Sequence, residues 1–151
     1  MIYESEADRA RESEFALQIE QRFSCQLIKL SYEWQFDYLI ARDRLLTGIA
    51  ELKVRTHEST KYDTVIFSDH KAASGFRFCE KTLCFDERSQ GFKPTTFIFF
   101  VKFTDKTMYC ALNKEEFFEY RIEKLSAANH ADDPKDTEYV RYVPIEKFKG
   151  F

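Results

Sequence analysis

An aspartate, a glutamate and a lysine near the middle of the chain have the types and the spacing of a metal-assisted hydrolytic site. Asp37 lies in the run 36–41, and Glu51 and Lys53 lie in the run 47–55. Both runs alternate apolar and polar residues, as half-buried strands do. A short polar stretch separates them, so the sequence predicts a β-hairpin that carries all three charged side chains.

The register of this hairpin decides whether the three side chains meet. The polar stretch predicts an antiparallel pair closed by Arg42 and Leu46. That register makes Asp37 and Glu51 direct cross-strand neighbours, with Cβ atoms about 4.5–5.5 Å apart. Lys53 follows Glu51 by two residues, so the period of two in a strand places it on the same face.

Two carboxylates opposite each other destabilise a sheet unless something offsets their repulsion. A divalent cation between Asp37 and Glu51 would turn that repulsion into attraction, and hard oxygen ligands with open water positions suit Mg²⁺. A neighbouring Lys53 could orient or deprotonate a water molecule, or stabilise the charge that develops on phosphorus. These residues therefore predict metal-assisted phosphodiester hydrolysis. The alternative is a hairpin with three solvated charges on an exposed face.

Asp37, followed on the next strand by Glu51-Leu52-Lys53, resembles the PD-(D/E)xK nuclease superfamily. Phe36 stands where members of that superfamily often have proline. The resemblance implies a core of helix, three strands, helix and strand. It also implies a cofactor, Mg²⁺ or Mn²⁺, held by Asp37, Glu51 and the backbone carbonyl of Leu52, while Lys53 orients the attacking water.

A predicted helix over residues 4–23 adds a further acid. Its apolar stripe consists of Phe15, Ala16, Ile19 and Phe23. One turn back along this stripe lies Glu12, whereas Glu14 falls off the face, so Glu12 is expected to point inward. A carboxylate at the rim that escapes to water is the alternative. Many superfamily members carry a glutamate on this helix near the metal. In the resolvase group it precedes apolar positions by three, four and seven residues, as Glu12 does, which implies that Glu12 is a metal ligand directly or through water.

Three basic residues are candidates for substrate binding. Arg55 belongs to a group of basic residues just after the proposed site, and His57 follows Lys53 by four residues. Lys71 lies in the first turn of a helix predicted to begin after Ser68, where a cation opposes the helix dipole and indicates an anion nearby. The superfamily often places a basic or amide side chain on this helix. Ordinary surface solvation is the alternative for all three candidates.

The remaining patterns predict a mixed α/β domain. Strands are expected at 26–32, 64–67, 95–103, 107–112 and 138–143, and helices at 69–85 and from 113 to about 126. The run 95–103 is expected to be buried on both faces, and 138–143 to lie at an edge because Pro144 ends it. We predict a single domain over 1–151 with a restriction-endonuclease-like core (αβββαβ, about 4–112) and an added C-terminal strand, helix and strand.

Composition limits the class of protein. The 151 residues carry a formal net charge of −3, which argues against a protein that coats DNA non-specifically. The four cysteines lack zinc-site spacing and are expected to be reduced thiols. No apolar run approaches a membrane span and no signal-peptide pattern begins the chain, so a cytoplasmic protein that does not contact membranes is expected.

The sequence therefore favours a Mg²⁺-dependent nuclease that hydrolyses DNA, with a layout similar to small Holliday-junction-resolvase-like endonucleases. Branched DNA is then a possible substrate and a homodimer a possible assembly, because a two-fold junction needs two symmetry-related cuts. The alternative is a catalytically weak nuclease-like fold that serves as a binding or assembly module for nucleic acid or protein. Endonuclease and exonuclease action are not distinguished by any motif, and neither are DNA and RNA.

Overall fold

The computed structural model describes residues 5–31, 33–126 and 137–151. The predicted loop at 127–135, the last residue of the predicted strand 26–32 and the first residue of the predicted helix 4–23 lie outside these ranges. The helices are α1 (Glu6–Phe23), α2 (Asp69–Lys81) and α3 (Lys114–Phe117). The strands are β1 (Gln26–Lys29), β2 (Tyr38–Arg42), β3 (Leu45–Val54), β4 (Thr64–Ser68), β5 (Leu83–Asp86), β6 (Gly91–Pro94), β7 (Thr96–Lys102), β8 (Thr107–Ala111), β9 (Ile122–Ser126), β10 (Thr137–Pro144) and β11 (Lys149–Gly150).

The main sheet has six strands in the order β1-β2-β3-β7-β8-β11. β3 and β7 run parallel, while the other neighbouring strands run antiparallel. A parallel pair needs a crossover connection, and the chain between β3 and β7 contains α2. This mixed sheet with helices confirms the α/β class and agrees with the restriction-endonuclease-like core expected from the sequence.

The two faces of β3 point into two different apolar clusters. Ala50 and Leu52 face α1, where they pack with the buried Phe15 and Ile19. Ile49 points the other way, into a larger cluster beneath α2 that is rich in phenylalanine. Glu51 and Lys53 share the parity of Ile49, so the period of two directs their side chains to the α2 side.

Helix α1 has the inward face that the sequence predicts. Ser5 is its N-cap, and a capping box joins the Ser5 and Asp8 side chains and backbone. Phe15, Ala16 and Ile19 are its buried residues. The stripe of the helical wheel is therefore confirmed.

The hairpin of β2 and β3 has a different closing pair from the predicted one. Arg42 pairs with Leu45 rather than Leu46. Asp43 and Arg44 form a two-residue turn with φ of 50° and 67°. Positive φ at both central positions matches the strand twist of a hairpin, which explains why the tighter closure is preferred.

A register shift between Ile40 and Ala41 compensates for the tighter turn. Beyond it, Tyr38 pairs with Ala50, as the predicted register requires. A bulge adds one residue to one strand, and here the addition offsets the residue lost from the turn. The end of the hairpin that carries the acids therefore has the predicted alignment.

Two predicted helices are shorter than expected. The helix predicted over 69–85 ends at Lys81, and Leu83–Asp86 forms a hairpin with Gly91–Pro94, which the sequence predicts as a loop. The helix predicted from 113 to 126 spans only Lys114–Phe117, and Ile122–Ser126 is a strand. The predictions failed because short apolar runs fit helical and strand periods equally well, and strand pairing decides between them.

One expectation about strand position is corrected, and another is confirmed. β10 lies between β4 and β9, so it is a central strand rather than the predicted edge. Pro144 is tolerated because it is the last residue of β10. The apolar run 95–103 contains β7, which lies between β3 and β8 inside the main sheet and is buried on both faces as predicted.

Within the ranges described, no helix has the length and apolar character needed to cross a membrane.

Candidate active site

Asp37 is held at the open end of the β2–β3 hairpin, one residue before β2. Its backbone carbonyl accepts a hydrogen bond from the Leu30 N–H at 2.9 Å. Its side-chain Oδ2 accepts one from the Leu52 N–H at 3.3 Å. The Leu30 N–H thus holds the backbone of Asp37, and the Leu52 N–H holds its carboxylate beside β3.

Glu51 is the most deeply buried charged side chain near Asp37, with 1% of its surface exposed. Its Oε1 accepts a hydrogen bond from Lys71 Nζ at 3.1 Å and lies 3.4 Å from Lys53 Nζ. Its Oε2 is buried and has no hydrogen-bond partner among the residues that the structure describes. A buried, unsatisfied carboxylate oxygen costs free energy, so this atom needs a ligand that the protein itself does not supply.

The electrostatics of Glu51 point in the same direction. Burial, and after it the nearby charge of Asp37, raise the pKa of the Glu51 carboxyl to about 7, although Lys53 and Lys71 act to lower it. The two adjacent lysines therefore do not fully offset the effects of burial and of the Asp37 carboxylate on the pKa of Glu51. At neutral pH the site can take up positive charge, either as a proton or as a metal ion.

Lys71 reaches Glu51 from the first turn of α2. The Ser68 side chain caps this helix by accepting a hydrogen bond from the Lys71 N–H, as the sequence predicts. Burial lowers the pKa of the Lys71 ammonium, but the charges of Glu51 and Asp37 and the hydrogen bond to Glu51 raise it more, so its pKa is above the ordinary value. Lys71 is therefore a cation at this site.

The donor set fits a hard divalent cation. Asp37 and Glu51 supply carboxylate oxygens, one of which is unsatisfied, and Mg²⁺ needs only one or two carboxylates with water and phosphate oxygens. In a strand, the N–H and the C=O of one residue point to the same side. The Leu52 N–H donates to Asp37, so the Leu52 carbonyl is also directed toward the Asp37 side. No group of three or more His, Cys, Asp or Glu side chains occurs at metal-ligand spacing in the described part of the chain.

Glu12 is not brought into contact with the two other acids. Its Oε2 accepts hydrogen bonds from Lys29 Nζ at 2.5 Å and from the Tyr38 hydroxyl at 3.1 Å. Glu12 also lines a cleft with Lys53 and Leu52. It thus borders the site from the α1 side of the sheet, as an acid already paired with a cation.

Sequence reasoning missed Lys29 and Tyr38 as the partners of Glu12. The two residues are cross-strand neighbours in β1 and β2, and Lys29 Nζ also lies 4.8 Å from the centre of the Tyr38 ring. Their pairing follows from the β1–β2 register, which the sequence alone does not define because both strands are short and apolar. The alternation of Lys29 with apolar neighbours was the available signal.

Arg55 and His57 lie farther along the chain from Glu51, at and beyond the end of β3. Both line a groove of about 390 Å³ together with Tyr62 and Tyr142. Neither contacts Glu51 or Asp37 among the interactions of the described residues. The predicted substrate-binding residues therefore lie in two places. Lys71 contacts the buried Glu51 carboxylate, whereas Arg55 and His57 line a separate groove.

Comparison with protein families gives one match, to the family described as "Phage putative PDDEXK endonuclease", which covers residues 1–151. No curated protein and no solved structure matches the chain. The matched family is described as one of endonucleases, and its name carries the motif that the sequence pattern of Asp37, Glu51 and Lys53 resembles. This chain belongs to the phage PDDEXK endonuclease family, within the PD-(D/E)xK nuclease superfamily.

Proposed function

We propose that the protein is a divalent-metal-dependent nuclease that hydrolyses phosphodiester bonds in DNA. The observation that carries this proposal is the buried Oε2 of Glu51, which has no hydrogen-bond partner among the described residues. It lies beside a second carboxylate and two lysines. A structural ion pair would satisfy both carboxylate oxygens. An oxygen left open in a charged pocket is what a cation site requires.

Asp37, Glu51 and the Leu52 carbonyl would hold Mg²⁺ or Mn²⁺. When bound, such an ion polarises the phosphate and lowers the pKa of a bound water. Asp37 precedes β2 and Glu51 lies on β3, and the hydrogen bond from the Leu52 N–H holds the Asp37 carboxylate beside β3. Glu12 would contribute from the α1 side, directly or through water.

The two lysines have different tasks. Lys53 keeps 37% of its side chain exposed while its Nζ lies 3.4 Å from Glu51 Oε1. It can therefore donate to an incoming water and to the phosphate oxygen that gains negative charge. Lys71 has 21% of its side chain exposed and donates directly to Glu51. It holds the carboxylate in place and limits the negative charge of the pocket.

The finer aspects of this proposal concern the substrate and the assembly. Membership of a phage endonuclease family supports DNA as the substrate. A resolvase-like action on branched DNA would require a homodimer, because both strands must be cut about a two-fold axis. Light scattering tests the assembly, and a monomer of 18.0 kDa in the presence of junction DNA would exclude this mode.

The direct test is cleavage. Plasmid, single-stranded DNA and a four-way junction are incubated with Mg²⁺ or Mn²⁺, using native protein and the Lys53→Ala and Glu51→Gln variants. We expect metal-dependent cleavage by native protein and a strong loss in both variants. Binding of DNA without cleavage under any metal would favour the binding or assembly module instead.

A further inference from the structure

A groove near the carboxyl end of β3 lies beyond the proposed catalytic residues. It encloses about 390 Å³ and is lined by Arg55 and by the rings of His57, Tyr62, Phe103 and Tyr142. A volume in this range accommodates a ligand of the size of one nucleotide. The groove combines one cation with several aromatic rings, which is the composition used to hold single-stranded nucleic acid.

Arg55 connects this groove to the catalytic strand. Its N–H donates to the Lys102 carbonyl at 2.8 Å, so pairing with β7 continues through Arg55. The period of two then places Arg55 on the same face as Glu51 and Lys53. At about 3.3 Å per residue, Arg55 lies roughly 13 Å along the strand from Glu51. A stacked DNA strand rises about 3.4 Å per nucleotide, so this separation corresponds to about four nucleotides.

The Arg55 guanidinium is available to bind an anion. It has no hydrogen bond or ion pair in the described part of the chain, and burial lowers its pKa. A partly buried cation without a partner is unfavourable unless a ligand compensates it. Phosphate is the natural partner, because the planar guanidinium donates two parallel hydrogen bonds to it.

Tyr62 provides an accessible ring beside Arg55. Its side chain is 54% exposed, and its ring meets the His57 ring edge-on at a centroid separation of 5.1 Å. His57 in turn packs against Phe103 at 5.7 Å. The exposed ring is thus supported from behind, which lowers the entropy that it would lose on stacking with a base.

The carboxylate of Glu123, which lies beside the groove residue Tyr142, already has hydrogen-bond and charge partners. The Tyr142 hydroxyl donates to Glu123 Oε2 at 2.6 Å, and Arg121 lies 3.7 Å from the same oxygen. The guanidinium of Arg121 also sits 4.1 Å from the centre of the Tyr142 ring. The net character of this side of the groove is therefore aromatic and not acidic, which suits an anionic strand.

We propose that this groove binds one unpaired nucleotide of the DNA substrate, with its phosphate on Arg55 and its base stacked on Tyr62. The inference rests on the proposed nuclease function and adds a preference for DNA with a single-stranded segment next to the cleavage position. A base inside a duplex is stacked and paired, so its face cannot reach Tyr62. Only an unpaired base offers the face that the ring needs.

The test compares two labelled DNA hairpins that differ by a single-stranded tail of about six nucleotides. Affinity is measured by fluorescence anisotropy with Mg²⁺, in a Lys53→Ala background that limits cleavage. Tails are placed at the 5′ and at the 3′ end in separate probes. We expect one tailed hairpin to bind more tightly than the blunt one.

Variants of Tyr62 separate stacking from fold. Tyr62→Ser is expected to weaken binding of the tailed hairpin by roughly 5- to 150-fold and to leave the blunt hairpin unchanged. Tyr62→Trp should retain the advantage of the tail. Tyr139→Ser is the matched control, because Tyr139 is 53% exposed and does not line the groove.

Arg55→Gln tests the phosphate contact. The slope of log affinity against log salt for the tailed hairpin should fall by about 0.7, which is the loss of one contact to a single strand. Equal affinities for tailed and blunt hairpins, or an unchanged ratio in Tyr62→Ser, would overturn the inference. The proposed function is judged separately, because native protein that cleaves blunt DNA without any effect of Tyr62 remains a nuclease.

Discussion

The Leu52 N–H donates a hydrogen bond to Asp37 Oδ2 across 3.3 Å. This bond joins the residue before β2 to the residue that directly follows Glu51 on β3. A backbone group of the central strand therefore holds the Asp37 carboxylate beside Glu51. Such preorganisation would let the proposed cation bind without a large rearrangement of the protein.

The first prediction concerns metal-dependent stability. Mg²⁺ or Mn²⁺ should raise the melting temperature, because a ligand that binds only the folded state stabilises it. At one hundred times Kd the gain is about 2.7 kcal/mol, or roughly 5–10 °C for a domain of this size. Glu51→Gln should abolish the rise, whereas Glu115→Gln on the exposed surface should retain it. Equal shifts in both variants, measured by differential scanning fluorimetry, would place the ion elsewhere.

The second prediction concerns pH. The pKa of Glu51 is about 7 in the folded protein, against an ordinary value of 4.5 when the chain is unfolded, so the folded state binds the proton more tightly. The resulting stabilisation is fully present below pH 4.5 and is lost as pH rises through 7. Without metal, the free energy of unfolding should fall across this window by on the order of 1–3 kcal/mol more in native protein than in Glu51→Gln.

Denaturant titrations at several pH values measure this difference. A parallel pH dependence in native protein and Glu51→Gln would show that Glu51 is not protonated on folding. Saturating Mg²⁺ should remove the difference near pH 7, because the ion then takes the place of the proton.

The third prediction separates the two lysines. Lys53→Ala should lower the cleavage rate by about 10²-fold or more while the metal-induced rise in melting temperature remains. Lys71→Met should increase that rise, because Lys71 competes with the ion for Glu51 Oε1. If Lys53→Ala removed the metal-induced rise in melting temperature, or if Lys71→Met diminished that rise, the roles proposed for the two lysines would be contradicted.

The fourth prediction concerns the acid on α1. Glu12 is partly buried and bonded to Lys29 and Tyr38, whereas Glu14 is exposed. Glu12→Gln should lower metal-dependent cleavage roughly tenfold or more, as loss of a group that supports a metal site does. Glu14→Gln should leave it unchanged. Similar rates for native protein and Glu12→Gln would restrict the site to Asp37 and Glu51.

The fifth prediction concerns the core under the site. A Cβ added at Gly75 would lie 2.0 Å from Cε2 of the Phe97 ring. Gly75→Ala should therefore destabilise the protein by about 1–3 kcal/mol from overpacking, although alanine is the better helix former by about 1 kcal/mol. Ser74→Ala, at the adjacent helix position, should be neutral or slightly stabilising. Denaturant unfolding of both variants measures the difference, and a more stable Gly75→Ala would contradict the packing.

The sequence was sufficient to predict the hairpin register next to Asp37 and Glu51, in which Tyr38 pairs with Ala50. Alternation of apolar residues defined both strands, and burial of one face left few possible registers. The predicted closing pair was wrong, yet the register shift at Ile40 restored the alignment near the acids. The predicted register holds at this end of the hairpin because the buried face selects the register independently of the turn.

Other features could not be read from local patterns. Leu83 and Phe85 are exposed at 56% and 47%, so their apolar character indicated a continued helix face that does not exist. The groove at Arg55 depends on Tyr142, which β10 brings beside β4 from the far end of the chain. Contacts between residues so far apart in the sequence follow from the order of strands in the sheets. The periodicity of apolar residues does not encode that order.

The parallel pairing of β3 with β7 also determines when the site is completed during synthesis. Glu51 lies opposite Phe99, which follows about fifty residues later in the chain. A loop of that length must close, at a cost in conformational entropy, before β3 and β7 can pair. A nascent hairpin ending at Val54 already contains Asp37 and Glu51, but the strand that pairs with Glu51 on its other side follows later in the chain. Burial is the largest cause of the raised pKa of Glu51, so this property depends on segments of the chain that follow the hairpin.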